Sequence, residues 1–213
     1  MTSPRLQSKL PNIERKLRDS GITRIAGVDE AGRGPCAGPL VIAAVILKNS
    51  NSKALTRVRD SKTLSEKVRE ELFPIVKEES LAFSVIEIWP QELDELGLHK
   101  SNLEGMRRAV SSLAVAPEYV LTDGYAIEGM EMPTLAVWKG DQVALSISAA
   151  SIVAKVHRDH IMIELDTKFP GYGLAGHKGY ITAAHTAALE KLGVSEIHRK
   201  SFANIQKLLN SQS

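Results

Sequence analysis

Leu40 to Leu47 is an unbroken run of eight apolar residues, the longest in a chain of 213. It is far too short to cross a bilayer, which takes about 20 such residues, and with Pro39 before it the segment reads as a strand. Thr23 to Asp29 is β-rich as well, and the turn-like stretch Ala31 to Gly38 joins the two. Helical and strand patterns alternate around this pair. Asn12 to Ser20 reads as a short charged helix stopped by Gly21. Ser65 to Glu79 puts Val68, Leu72, Ile75 and Val76 on one helical face. Either Thr63, paired with Glu66, or Ser65 serves as its cap. Leu81 to Trp89 returns to strand, and Pro90 suits the first turn of a helix. Ser101 to Val115 spaces Leu103, Met106, Val110 and Leu113 as a core-facing helix. Glu118 to Thr122 and Thr134 to Trp138 are short strands, and a long helix follows from Val143 to Asp166. A glycine-rich loop, Phe169 to Tyr180, leads into a helix from Ile181 that ends at Gly193. The order β-β-α-β-α-α-β-β-α-α, with no repeat or linker, predicts one mixed α/β domain over residues 1–213 with a helical C-terminal section from about residue 181.

Composition narrows the setting more than the function. An apolar fraction of 43% is ordinary for a globular chain. Cys36 is the only cysteine, so an intrachain disulfide and a cysteine-rich zinc site are both excluded. Met1 to Leu10 lacks the apolar core of a signal peptide, and the expectation is a cytoplasmic protein. A net charge of +2 decides nothing, because a basic surface can lie beside an acidic site and cancel it.

The informative residues are Asp29, Glu30, Asp123 and Asp141. Each follows an apolar, β-like stretch and precedes glycine or a polar break. If these strands share a sheet, their ends bring distant carboxylates together. Packed carboxylates repel one another unless cations neutralise them, and hard oxygen donors favour Mg²⁺ or Mn²⁺ over zinc. Taken singly, an aspartate at a strand end is more often a turn former or helix cap. Asp29 and Glu30 also pose a geometric problem, since neighbouring strand residues point to opposite faces. Either the strand breaks there or the two play different parts. Gly32 to Ala37 satisfies the dinucleotide fingerprint G-x-G-x-x-A, but Pro39 and a β-branched run follow where a helix must open. That reading fails, leaving a backbone able to approach a ligand closely and Arg33 available for a phosphate.

The segment Gly27 to Pro35, continuing through Gly38-Pro39 into strand, resembles the signature opening of type 2 ribonucleases H. The likeness runs on through Asp60-Ser61-Lys62, Asp123-Gly124, Lys139-Gly140-Asp141 and Ser148 to Asp159. It ends with Gly171-Tyr172-Gly173, His177 to Tyr180 and His198 to Phe202. These ordered matches cover about residues 22–202. The resemblance implies a ribonuclease H-like fold, a central mixed sheet flanked by helices with a helical C-terminal region. It implies an endoribonuclease acting on RNA–DNA hybrids and on single ribonucleotides in duplex DNA, cutting 5′ of the ribonucleotide to leave a 3′-hydroxyl and a 5′-phosphate. Asp29, Glu30, Asp123 and Asp141 would hold two Mn²⁺ or Mg²⁺ ions. Gly32, Arg33 and Gly34 would test for a ribose 2′-hydroxyl, Tyr180 would lie against the sugar at the RNA–DNA junction, and Lys62 would contact phosphate. About twenty residues before the first strand leave no room for the N-terminal extension of type 3 enzymes. A monomer acting on nucleic acid, with no membrane association, is expected.

The other polar residues have plainer readings. His177, His185 and His198 are expected to be exposed, solvated or bonded to backbone, outside the site. Lys155, Arg158 and Asp159 read as a solvated helix face, with Lys155 in reach of phosphate. Trp138 and Tyr172 read as packing residues, and Cys36 as small filler. Two rivals share the same residues: a junction resolvase of the same broad fold, which would cut plain DNA, and a non-catalytic hybrid binder, which would cut nothing.

Overall fold

The computed structural model describes residues 13–211, so the readings of Met1 to Leu10 and of Asn12 lie outside the described residues. Strands β1 (Ile25–Ala31) and β2 (Leu40–Leu47) pair antiparallel. Strand β3 (Ser80–Ile88) adds antiparallel to the far side of β2. Strands β4 (Tyr119–Asp123) and β5 (Thr134–Val137) extend the β1 side in parallel, giving the order β3-β2-β1-β4-β5. The unbroken apolar run of β2 has its reason in the layers on each side. Val41, Ala43, Val45 and Leu47 pack against helices α2 (Glu66–Glu79) and α6 (Leu145–Lys168). Leu40, Ile42, Ala44 and Ile46 pack with α3 (Pro90–Leu96) and α4 (Leu98–Ser111). Alternate residues thus serve opposite cores, and each fully buried Leu, Ile or Val stabilises by about 1.5–3 kcal/mol before chain entropy is set against it.

Helix α6 lies so close to β1 that a Cβ on Gly27 would fall on the main chain at Ser146 and Ile147. No side chain of its own caps its first turn. Instead, buried Glu14 of α1 (Ile13–Asp19) accepts hydrogen bonds from the N–H groups of Leu145, at 3.1 Å, and Ser146, at 2.8 Å. The C-terminal helices α7 (Leu174–His177), α8 (Ala183–Leu192) and α9 (Ala203–Ser211) pack around Cys36, Ala37, Met162 and Tyr172. No helix among the described residues is long and apolar enough to cross a membrane.

Several local expectations are corrected. Ser65, not Thr63, caps α2, accepting from Val68 N, while Thr63 closes a 3₁₀ turn over Ser61–Thr63. α4 starts at Leu98, directly after Gly97 at φ +80°. The long helix forms as α6, within two residues of the expected bounds, and a short helix, α5 (Gly140–Val143), precedes it across extended Ala144. The helix expected from Ile181 starts two residues later as α8, with Thr182 as its cap. Arg158 and Asp159 are buried rather than solvated, Arg158 against the C-terminal loop at Lys178 and Asp159 against Arg69 of α2.

Candidate active site

β1 runs on through Asp29 and Glu30 without a break, so the two carboxylates take opposite faces of the sheet. Asp29 shares the α6 face with Gly27 and has Ser151 beside it. Glu30 takes the α4 face, beside Asn102. Asp123 is the last residue of the neighbouring parallel strand β4, and its Oδ1 accepts from Gly140 N at 2.7 Å. Asp141 is not at a strand end. Lys139, left-handed at φ +53°, turns the chain out of β5, placing Asp141 in the first turn of α5. The Ser148 hydroxyl donates to the Asp141 carbonyl at 2.7 Å and fixes that turn. One carboxylate oxygen from each of Asp29, Asp123 and Asp141 lies within 4.8 Å of the others. Glu30 stands outside that trio but close enough for its charge to be felt there.

Such crowding is unfavourable without cations. Burial, then the charges of Glu30 and Asp123, push the Asp29 carboxyl well above the usual range. Burial raises Glu30 to about 7 against the pull of Arg33, and burial with Asp123 raises Asp141 to about 6. Asp29 Oδ2 and Glu30 Oε2 are buried without a hydrogen-bond partner. Buried, orphaned, mutually repelling carboxylate oxygens are the donor set of a hard divalent cation, and these residues fit such ions. Partial neutralisation comes from Lys62, whose Nζ lies 3.8 Å from Asp141 Oδ2. Burial lowers the Lys62 pKa, but the pull of Asp29, Asp141 and Asp123 outweighs it and the net shift is upward.

A cavity of about 490 Å³ opens over these groups, lined by Glu30, Arg33, Lys62, Asp123, Trp138 and Asp141 among others. A second, of about 260 Å³, shares Glu30, Arg33 and Lys62 with it and continues past Gly32 and Gly34 to Tyr180. All nine residues singled out in the sequence line this groove or its floor. Arg33 reaches toward Glu30 at 3.8 Å, hydrogen-bonds the Tyr125 hydroxyl and lies over its ring. Lys155 also lines the groove, but its Nζ is held by Asp159 at 2.6 Å.

Other assignments change. Trp138 is not a packing residue. It is 81% exposed at the cavity rim, because it follows edge strand β5. Tyr172 does pack, donating to the Gly193 carbonyl. His185 and His198 are buried rather than exposed, joined Nε2 to Nε2 at 3.2 Å, and none of the three histidines lines the groove. Asp60, buried beside Asp141 and lining the cavity, belongs to the site as well, although the sequence singles out only Lys62 of Asp60-Ser61-Lys62. Its carboxylate accepts from Lys62 N at 2.9 Å, and an aspartate two residues before that lysine is the sequence signal for such a turn.

This sheet order, with carboxylates gathered where β1 and β4 end in parallel, defines a divalent-metal-dependent nuclease of the ribonuclease H type, a hydrolase. A sequence profile of the family described as ribonuclease HII matches residues 26–205. Ribonuclease HII of Mycobacterium avium (strain 104) is 50% identical over 206 residues, covering 97% of this chain and 90% of that protein. Ribonuclease HII of Salinispora arenicola (strain CNS-205) is 53% identical over 193 residues, covering 91% and 72%. The crystal structure of ribonuclease H2 from Pyrococcus horikoshii OT3 is similar with a TM-score of 0.77 at 28% identity, covering 88% of this chain and 98% of that one. The chain belongs to the ribonuclease HII family.

Proposed function

We propose that this protein, as a monomeric single domain, hydrolyses the RNA strand of RNA–DNA hybrids and single ribonucleotides embedded in duplex DNA. The cut falls on the 5′ side of the ribonucleotide and leaves a 3′-hydroxyl and a 5′-phosphate. The observation that carries this reading is the convergence of Asp29, Asp123 and Asp141 within 4.8 Å, with Glu30 nearby on the opposite face of β1 and two orphaned carboxylate oxygens among the four. These four residues would hold two Mg²⁺ or Mn²⁺ ions. Bound there, such ions supply an activated water and stabilise charge on the phosphate and the departing oxygen.

The remaining work falls to the chain. Lys62 and Arg33, on the groove wall, attract the phosphates and set the register of the strand. Gly32 and Gly34 let main-chain groups approach the sugar, where a 2′-hydroxyl distinguishes RNA from DNA. Tyr180, 46% exposed at the groove end, offers its ring to the adjoining sugar. A buried, unpaired Cys36 accords with a cytoplasmic setting. The test offers three duplexes with Mg²⁺ or Mn²⁺: an RNA–DNA hybrid, DNA carrying one ribonucleotide, and plain DNA. Cleavage of the first two, abolished by chelator, is expected. Comparable cleavage of plain DNA would point to a resolvase, and binding without cleavage to a hybrid-binding protein.

A further inference from the structure

Behind the groove lie two arginines with no part in the chemistry above. Arg158 of α6 is 1% exposed, and Arg199, between α8 and α9, is fully buried. A buried guanidinium is costly unless its donors are satisfied. Here the partners are main-chain carbonyls. Arg158 donates through Nε to Pro39 O at 2.9 Å, through Nη2 to Ala37 O at 3.1 Å and through Nη1 to Lys178 O at 3.0 Å. Arg199 donates through Nε and Nη2 to Gly38 O, at 3.0 and 2.9 Å, and through Nη1 to Arg33 O at 3.3 Å.

All six bonds end on two stretches, residues 33–39 and Lys178. The main chain joins the same stretches, with Cys36 N donating to Gly179 O at 3.0 Å and Arg199 N to Cys36 O at 2.9 Å. One stretch follows directly from Gly32-Arg33-Gly34 and the other leads into Tyr180. The two meet in the groove, where a Cβ on Gly34 would lie 3.6 Å from the Tyr180 ring. Gly32, at φ +94°, packs so tightly that a Cβ there would overlap the Arg158 side chain.

We propose that Arg158 and Arg199 are positioning residues for ribose recognition. They fix the spacing between the Gly32-Arg33-Gly34 turn and Tyr180, and with it the preference for ribose over deoxyribose. This rests on the reading of those groove residues as the sugar contacts. The planar fork of arginine spans several carbonyls in fixed directions, whereas lysine directs all its donors from one atom. Burial lowers the two guanidinium pKa values to about 10 and about 9, so both stay charged at neutral pH.

The test compares the affinities of an Asp123→Asn background, in Mg²⁺, for an all-DNA duplex and for the same duplex carrying one ribonucleotide. The background should prefer the second. Adding Arg158→Lys or Arg199→Lys, with folding checked by urea melts, should cut that preference tenfold or more and change all-DNA affinity less than twofold. Gly179→Ala reaches the same spacing with both arginines still in place, because its Cβ would press at 2.5 Å on the Ala37 carbonyl oxygen, the acceptor of Arg158 Nη2. It should lower the preference in the same way and covers the case in which a lysine variant fails to fold. Folded variants that keep the preference, or that lose both affinities by one factor, would overturn the proposal. A background without any preference would remove the sugar-contact reading itself, and the proposal with it.

Discussion

Glu30 and Asp141 hold protons more tightly in the folded protein than in the unfolded chain, and this sets a direction for stability against pH. A carboxyl with a raised folded-state pKa stabilises fully below its unfolded value, and that contribution is lost as pH rises through the folded one. For Glu30 the window runs from 4.5 to about 7, and for Asp141 from 3.8 to about 6. Urea midpoints of metal-free protein should therefore fall as pH climbs across that range, and Mn²⁺ added at pH 7.5 should restore them. A flat midpoint between pH 5 and 7.5 would mean that the carboxylates do not repel one another as their burial requires. Asp29→Asn should make the decline shallower, since it removes a carboxyl whose own folded-state pKa is raised. At this scale much of the site was legible in the sequence, because acidic residues after β-like runs mark strand ends. The relation of Asp29 to Glu30 was not, as it depends on β1 continuing through both. Asp141 does not owe its place to a strand end: it comes from the left-handed turn at Lys139, where nothing in the residue type announces φ > 0.

Helix α6 is the element on which the site leans, since Ser148 and Ser151 reach Asp141 and Asp29 from it. Its seat on β1 requires a residue without a side chain at Gly27. Gly27→Ala should therefore destabilise by about 3 kcal/mol, the upper end for overpacking, because main chain rather than a flexible side chain must give way. Its start depends on a cap lent by α1. Glu14→Ala should lower stability by about 1–2 kcal/mol, as the loss of a helix cap does. Thermal melts of both variants check this, and a Gly27→Ala protein with a wild-type melt would show that the two elements are not locked together. Periodicity revealed α2, α4 and the strands because apolar spacing is local information. The cap on α6 was invisible, since donor and acceptor lie 131 and 132 residues apart. So was the short helix α5, set off from α6 by extended Ala144.

Across the whole molecule, a net charge of only +2 hides a division of labour between an acidic groove floor and a basic wall. Duplex affinity should drop steeply with added salt, because phosphate contacts release counterions. Lys62→Ala should weaken binding to every duplex alike and reduce the salt slope by about one charge, read from binding isotherms at several salt concentrations. A salt-insensitive affinity would contradict the groove as drawn. The order of the strands and of the longer helices up to α8 was readable from patterning alone, but α5, α7, α9 and the pairing β3-β2-β1-β4-β5 were not, since strand neighbours are chosen by tertiary packing. The buried partners of Arg158 and Arg199 escaped for the same reason, since the carbonyls that hold them lie on loops distant in sequence. At the centre stands the claim that the fold assembles these carboxylates for phosphodiester hydrolysis. The most direct measurement is the single-turnover rate of Asp123→Asn against wild type on a DNA duplex with one ribonucleotide, in Mg²⁺, with equal folding shown by matching melts. The rate should fall about a thousandfold, roughly 4 kcal/mol of transition-state stabilisation, whereas a folded variant cutting within a few-fold of wild type would contradict the account.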